Sequence, residues 1–104
     1  MVARGKQLPY NFAMSRVVFM GTPAFSIPAL EWLASSGHEI VGVYTQPDRP
    51  AGRGRIPTAS SVKNWASDHG LAVYQPATLR QREAVVQMQA LRPEVIVVAA
   101  YGKL

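Results

Sequence analysis

Val17-Val18-Phe19-Met20-Gly21-Thr22-Pro23-Ala24-Phe25-Ser26-Ile27-Pro28 is the stretch that decides the fold. Its first four residues are an unbroken apolar run, closed by a Gly-Thr-Pro turn, which reads as a short buried strand. A helix is expected directly after it. Ser26 is placed as its N-cap with Pro28 in the first turn, Ile27, Leu30, Leu33 and Ala34 share one face, and Gly37 marks the stop. A second apolar run, 40–44, completes a βαβ unit whose crossover is expected to be right-handed.

The same alternation continues towards the C-terminus. Ser60 or Ser61 can cap a helix that turns Val62, Trp65 and Ala66 inward and ends at His69-Gly70. Residues 71–74 read as a third strand, and residues 80–91 as a helix burying Val85, Met88 and Leu91 before Pro93. Val95-Ile96-Val97-Val98-Ala99-Ala100 is the most apolar run of all, and its lack of alternation predicts a central parallel strand covered on both faces. Trp32, Trp65 and the methionines are assigned to the core or its margin. The fold class is therefore α/β, a Rossmann-like open parallel sheet of about four strands with helices on both faces.

With 104 residues the chain holds one domain at most. It has no cysteine, which excludes disulfides and thiolate metal sites and favours a cytoplasmic setting. His38 and His69 each lie beside a glycine at an expected helix end, where the macrodipole accounts for them, and no metal site is expected. No segment approaches the roughly 20 apolar residues that span a bilayer, so no membrane partner is expected. Residues 1–14 lack periodicity and read as a disordered extension rather than a targeting peptide, leaving 15–104 as the folded part.

Charge is concentrated. Of the formal net charge of +5, residues 46–63 carry a surplus of three, from Arg49, Arg53, Arg55 and Lys63 against Asp48, and residues 1–14 carry two. The rest of the chain is neutral, so the excess is a local footprint suited to a polyanion. Arg49, Arg53 and Arg55 lie on a loop punctuated by Pro47, Pro50, Gly52 and Gly54 directly after the second strand, and guanidinium forks suit bidentate phosphate contact. Open sheets of this kind bind ligands at strand C-terminal ends, where Gly21-Thr22-Pro23, this basic loop and Tyr101-Gly102 all fall. A dinucleotide site is disfavoured, because the first turn has no G-x-G-x-x-G and Pro23 removes a backbone donor there.

These pieces together resemble a known family. Phe19-Met20-Gly21-Thr22-Pro23-x-Phe25-x-x-Pro28-x-Leu30, Ser36-Gly37-His38, Val43-Tyr44-Thr45-Gln46-Pro47-Asp48-Arg49-Pro50-Ala51-Gly52-Arg53-Gly54, Val62-Lys63, Gln75-Pro76 and Val97-Val98-Ala99-Ala100-Tyr101-Gly102 are similar to the N-terminal part of methionyl-tRNA formyltransferases. The resemblance runs from Arg16 to Leu104, and the arginine block is its most specific element. Ala59-Ser60-Ser61 departs from the Pro-Ser-Pro that often precedes Val-Lys in the family, which bears on the loop's conformation and the start of the next helix.

The resemblance implies transfer of a formyl group from 10-formyltetrahydrofolate, a cosubstrate, to the amino group of methionyl-initiator tRNA, in the cytoplasm or an organelle, by a monomeric enzyme without a metal. It implies that Arg53, with Arg49, Arg55 and Lys63, meets the tRNA; that Gly21, Pro23 and Phe25 border the methionyl end in the active cleft; and that Ala100, Tyr101 and Gly102 line the folate site. It assigns the chemistry to an Asn-x-His pair and a later aspartate. Neither asparagine here fits, since Asn11 and Asn64 lead to Ala13 and Ala66. The chain is thus expected to be an N-terminal, truncated part of a formyltransferase domain, inactive alone and prone to aggregate through an unpaired sheet edge. The competing expectation is a stand-alone, non-catalytic RNA-binding α/β module.

Overall fold

A computed structural model describes residues 15–102. The expected extension, 1–14, lies outside the described residues, as do Lys103 and Leu104. The elements run β1 (Arg16–Gly21), α1 (Ile27–Ser35), β2 (Glu39–Tyr44), β3 (Arg49–Ala51), β4 (Ile56–Thr58), α2 (Ser61–Asp68), β5 (Val73–Tyr74), α3 (Arg82–Ala90) and β6 (Val95–Ala99). Four of the strands form a parallel sheet in the order β5-β2-β1-β6. The chain lays β2 and β5 to one side of β1, then returns to place β6 on the other. The strand order reverses beside β1, and in open sheets the crevice at such a point is where ligands sit.

Alternation along β1 explains its central position. Val17 and Phe19 face one side, where they pack with Leu30 and Leu33 of α1 and with Val62 and Ala66 of α2. Val18 and Met20 face the other, with Tyr44, Tyr101, Leu79, Met88 and Leu91. Both faces of β1 are covered, as its unbroken hydrophobicity requires. At the opposite end of the sheet, Arg16 donates from Nε to the carbonyls of Leu91 and Arg92, each at 3.2 Å, and joins the start of β1 to the end of α3.

Several expectations are corrected. Among the described residues the most apolar run is not the central strand: β6 pairs only with β1, and Val95, Ile96 and Val98 are 45%, 47% and 50% exposed. Ile96 and Val98 lie beside Val18 and Met20 on the α3 side of the sheet, beyond the cover that α3 supplies. The inward stripe of α3 is Ala84, Met88 and Leu91, with Val85 exposed, because a 3.6-residue period cannot separate two adjacent starting positions. Trp32 and Ala34 point to solvent. β5 is two residues long rather than four.

Ser26 bounds α1 but does not cap it. The backbone there is already helical, after a 3-10 turn over Ala24–Ser26, and its hydroxyl donates instead to the Ala99 carbonyl at 2.6 Å. Ser60 does cap α2, accepting from the Lys63 amide at 3.0 Å, while Pro28 occupies the first turn of α1 as expected.

Candidate functional site

The basic segment is a hairpin rather than an open loop. β3 and β4 pair antiparallel, with Arg49 opposite Thr58, Pro50 opposite Pro57 and Ala51 opposite Ile56. Proline has no N–H, and facing prolines are compatible only with a pair that exchanges no hydrogen bonds, so the ladder bonds fall at the flanking pairs. The prolines that suggest a loop are thus what the ribbon accommodates. Gly52, Gly54 and Arg55 turn the chain at φ +70°, +87° and +55°. Arg53 and Arg55 stand exposed at this turn, and among the described residues neither guanidinium is paired.

Three chain segments meet at the C-terminal ends of the strands, and Thr22 joins them. Its hydroxyl donates to the Tyr101 carbonyl at 2.8 Å and accepts from the Gln46 amide at 3.3 Å, while its carbonyl accepts from the Val62 amide at 3.4 Å. Gly21, Thr22 and Pro23 are thereby held beside Tyr101 and Gly102, as their strand positions led us to expect. Phe25 projects into solvent from the following turn, 76% exposed.

Individual site residues differ in what they can offer. A Cβ on Gly21 would lie 2.7 Å from the Phe19 ring and 2.9 Å from the Ala99 carbonyl oxygen, so packing alone requires glycine there. The Tyr101 ring is buried in the core, leaving its main chain for any ligand, and burial raises its phenol pKa. Ala100 and Gly102 are exposed, with φ of +58° and +115°, and bend the chain across the strand end. Burial, and then the neighbouring Tyr74 and Tyr101, push the Tyr44 phenol up to about 12. Neither Tyr44 nor Tyr101 can serve as a base at neutral pH.

At the foot of the hairpin Lys63 is engaged. Its ammonium donates to both carboxylate oxygens of Asp48 at 3.1 Å, and Gln75 Nε2 donates to Asp48 Oδ1 at 2.8 Å and to the Gln46 carbonyl at 3.1 Å. The Thr45 and Ser60 hydroxyls meet at 2.6 Å beside this cluster and tie the end of β2 to the start of α2. Thr22, Gln46 and Asp48 lie in segments that the sequence places at the strand ends without giving them a role there, and Gln75 lies outside the sequence-derived site altogether. The signal that could have found them is the polar residue directly after β1, β2 and β5, namely Thr22, Thr45-Gln46 and Gln75, where the backbone needs partners.

The hydrogen bond from Gln75 and then that from Lys63 hold the Asp48 carboxyl below its ordinary range. A carboxyl depressed in the folded state keeps its contacts throughout the pH range above the ordinary carboxylate value and loses them as pH falls through its folded one. A carbon-13 titration of the Asp48 carboxyl should accordingly show a midpoint below that of a free aspartate. A midpoint at or above it would contradict this geometry.

An apolar recess of about 410 Å³ lies between α3 and β6, lined by Leu79, Val85, Met88 and Ile96 among others. It is set apart from the strand ends, and its lining is mostly apolar, with Gln89 and Arg92 its polar members.

A parallel open sheet whose polar loops gather at the strand C-terminal ends, beside the reversal of strand order, defines the class: a doubly wound α/β domain of the ligand-binding kind. Within that class, the Formyl transferase family model matches residues 15–104, and the chain belongs to this family. It is 55% identical over 87 residues to a methionyl-tRNA formyltransferase of Hydrogenovibrio crunogenus, covering 84% of this chain and 28% of that protein. The same name belongs to relatives from Legionella pneumophila, 55% identical over 86 residues with coverages of 83% and 27%, and from Alkaliphilus oremlandii, 48% identical over 89 residues with coverages of 86% and 29%. The chain thus spans less than a third of the length of these curated relatives.

Proposed function

We propose that residues 15–104 form the N-terminal part of a formyltransferase domain that passes a formyl group from 10-formyltetrahydrofolate to the amino group of methionyl-initiator tRNA, in the cytoplasm or an organelle. The observation that carries this reading is the arginine hairpin standing at the end of β2, beside the crevice between β1 and β6. Arg53, flanked by Arg49 and Arg55, faces the tRNA, and Lys63 belongs to the same basic surface. Phosphate contact by such a surface weakens with salt.

Gly21, Pro23 and Phe25 border the methionyl end, the exposed Phe25 ring being free to meet an apolar group. Ala100 and Gly102, with the main chain of Tyr101, meet the folate, which supplies the formyl carbon. These residues fit a role that uses main-chain groups, since two are exposed and the only ring is turned inward. Attack of the amine on the formyl carbon needs donors for the developing oxyanion and a base for the amine proton. The two raised tyrosines cannot be that base. The resemblance assigns both tasks to an Asn-x-His pair and an aspartate, none of them among these 104 residues, so the part played here is binding and orientation.

The test is a chimera. Residues 15–104 replace the matching segment of the Hydrogenovibrio relative, and formylation of methionyl-tRNA is assayed. We expect turnover within about tenfold of the parent, since a displaced hydrogen bond or packing contact of about 1.4 kcal/mol corresponds to a factor of ten. A folded chimera that binds folate but does not formylate the tRNA would overturn the proposal. No helix among the described residues is long and apolar enough to cross a membrane.

A further inference from the structure

Among the described residues, the ammonium of Lys63 is the one cation of the basic segment with a carboxylate partner, and that changes what it can do. We infer that Asp48, Lys63 and Gln75 form a brace that fixes the arginine hairpin relative to the crevice, so that Lys63 and Asp48 are positioning residues rather than ligands of phosphate.

The three groups come from three elements. Asp48 precedes β3 at the root of the hairpin, Lys63 lies in the first turn of α2, and Gln75 follows β5. Asp48 Oδ1 accepts from both Lys63 and Gln75, at 3.1 and 2.8 Å, and Asp48 Oδ2 accepts from Lys63 at 3.1 Å. Gln75 also holds the Gln46 carbonyl, two residues before Asp48, and Arg49 Nη2 donates to Gln46 Oε1 at 3.4 Å. The entering side of the hairpin root is thus tied to α2 and to the end of β5, and the contact between the Thr45 and Ser60 hydroxyls ties the leaving side to the end of β2. The ribbon itself has only three residues in each strand, with Ile56 67% exposed, and has no core of its own. Its direction must therefore be set at its root.

An exposed ion pair contributes little to overall stability, so the effect of this one lies in orientation. Arginines held in place lose less freedom on meeting a phosphate backbone, and affinity rises accordingly. Lys63 as a phosphate ligand would have to leave Asp48, and Asp48 would then repel the incoming polyanion. The brace avoids both costs.

This inference rests on the tRNA reading above, and the test separates the two. The chimeric enzyme described above and its Asp48→Asn, Lys63→Met and Arg53→Ala variants are compared by amide hydrogen exchange and by fluorescence anisotropy with initiator tRNA across a series of salt concentrations. The brace predicts that Asp48→Asn and Lys63→Met each speed exchange at the Ala51 and Ile56 amides at least fivefold, with β1 amides unchanged. It predicts that both weaken tRNA binding about fivefold without altering the slope of affinity against salt. If Lys63 were a phosphate ligand, Asp48→Asn would tighten binding, and Lys63→Met would lower the salt slope by nearly one. Either result, or hairpin exchange at the parental rate in both variants, overturns the brace. Unchanged tRNA binding in Arg53→Ala overturns the reading beneath it, and the proposal with it.

Discussion

Arg53→Ala in the chimeric enzyme raises the apparent KM for methionyl-tRNA by roughly tenfold to a hundredfold, and leaves the KM for the folate within about twofold. The range follows from hydrogen bonds to charged partners, which contribute about 1.5–3 kcal/mol each when their partner is otherwise left unpaired. Arg53 is suited to this because nothing within the described residues competes for its guanidinium, and because the two flanking glycines, both at positive φ, place it at the tip of the ribbon. The folate is unaffected because the residues proposed to meet it follow β6, whereas the tip of the hairpin is carried from the end of β2. Arg53→Lys should fall between alanine and the parent, since an ammonium keeps the charge but not the planar fork. Steady-state kinetics with each substrate varied in turn decides the matter. Equal tRNA kinetics for Arg53→Ala and its parent would defeat the assignment, and a matching rise in the folate KM would point to a general disturbance of the cleft.

Phe19→Ala costs about 3–5 kcal/mol of unfolding free energy, the range for truncating a buried aromatic residue. The ring has no exposed surface, lies between the β2 and β6 partners Val43 and Val97, and fills the space that the missing side chain of Gly21 leaves open. Removing it leaves a void beneath both helices of that face, where Leu30, Leu33, Val62 and Ala66 converge. A domain of this size has only about 5–15 kcal/mol in all, so roughly a fifth or more of its stability is removed. Urea denaturation followed by circular dichroism measures it, as a lower midpoint with the slope unchanged. Trp32→Ala provides the contrast: a tryptophan 63% exposed should change stability by no more than about 0.5 kcal/mol. Similar losses for the two variants would show that burial is wrongly assigned on this face.

That contrast also marks how far the chain could be read in one dimension. Strand and helix types followed from local periodicity and from the Gly and Pro residues that interrupt it, and every expected strand of the parallel sheet and every helix is present, with β5 and α3 shortened. That β6 has one neighbour among the described residues was not legible, because a continuous apolar run records how hydrophobic a strand is and not how many neighbours it acquires. Val85 was misplaced for a related reason: it lies at a helical spacing shared by two candidate stripes, and only contact with the sheet chooses between them, whereas Trp32 was assigned by residue type, which does not say which way a helix turns. The hairpin was hidden by its own prolines, whose harmlessness depends on their standing opposite each other across the ribbon.

The sequence by itself determined the α/β class, the order of elements, the local surplus of positive charge and the three segments that gather at the strand ends, since composition and period are properties of neighbouring residues. The tertiary structure alone decided how those segments are joined. Thr22 and Tyr101 are 79 positions apart, Asp48 and Gln75 27, and Asp48 and Lys63 15, and each pair meets at hydrogen-bonding distance only because parallel strands deliver their ends to one edge. Such pairings depend on the register and order of the strands. Those in turn are chosen by how the whole core packs, and no local stretch of the chain contains that information.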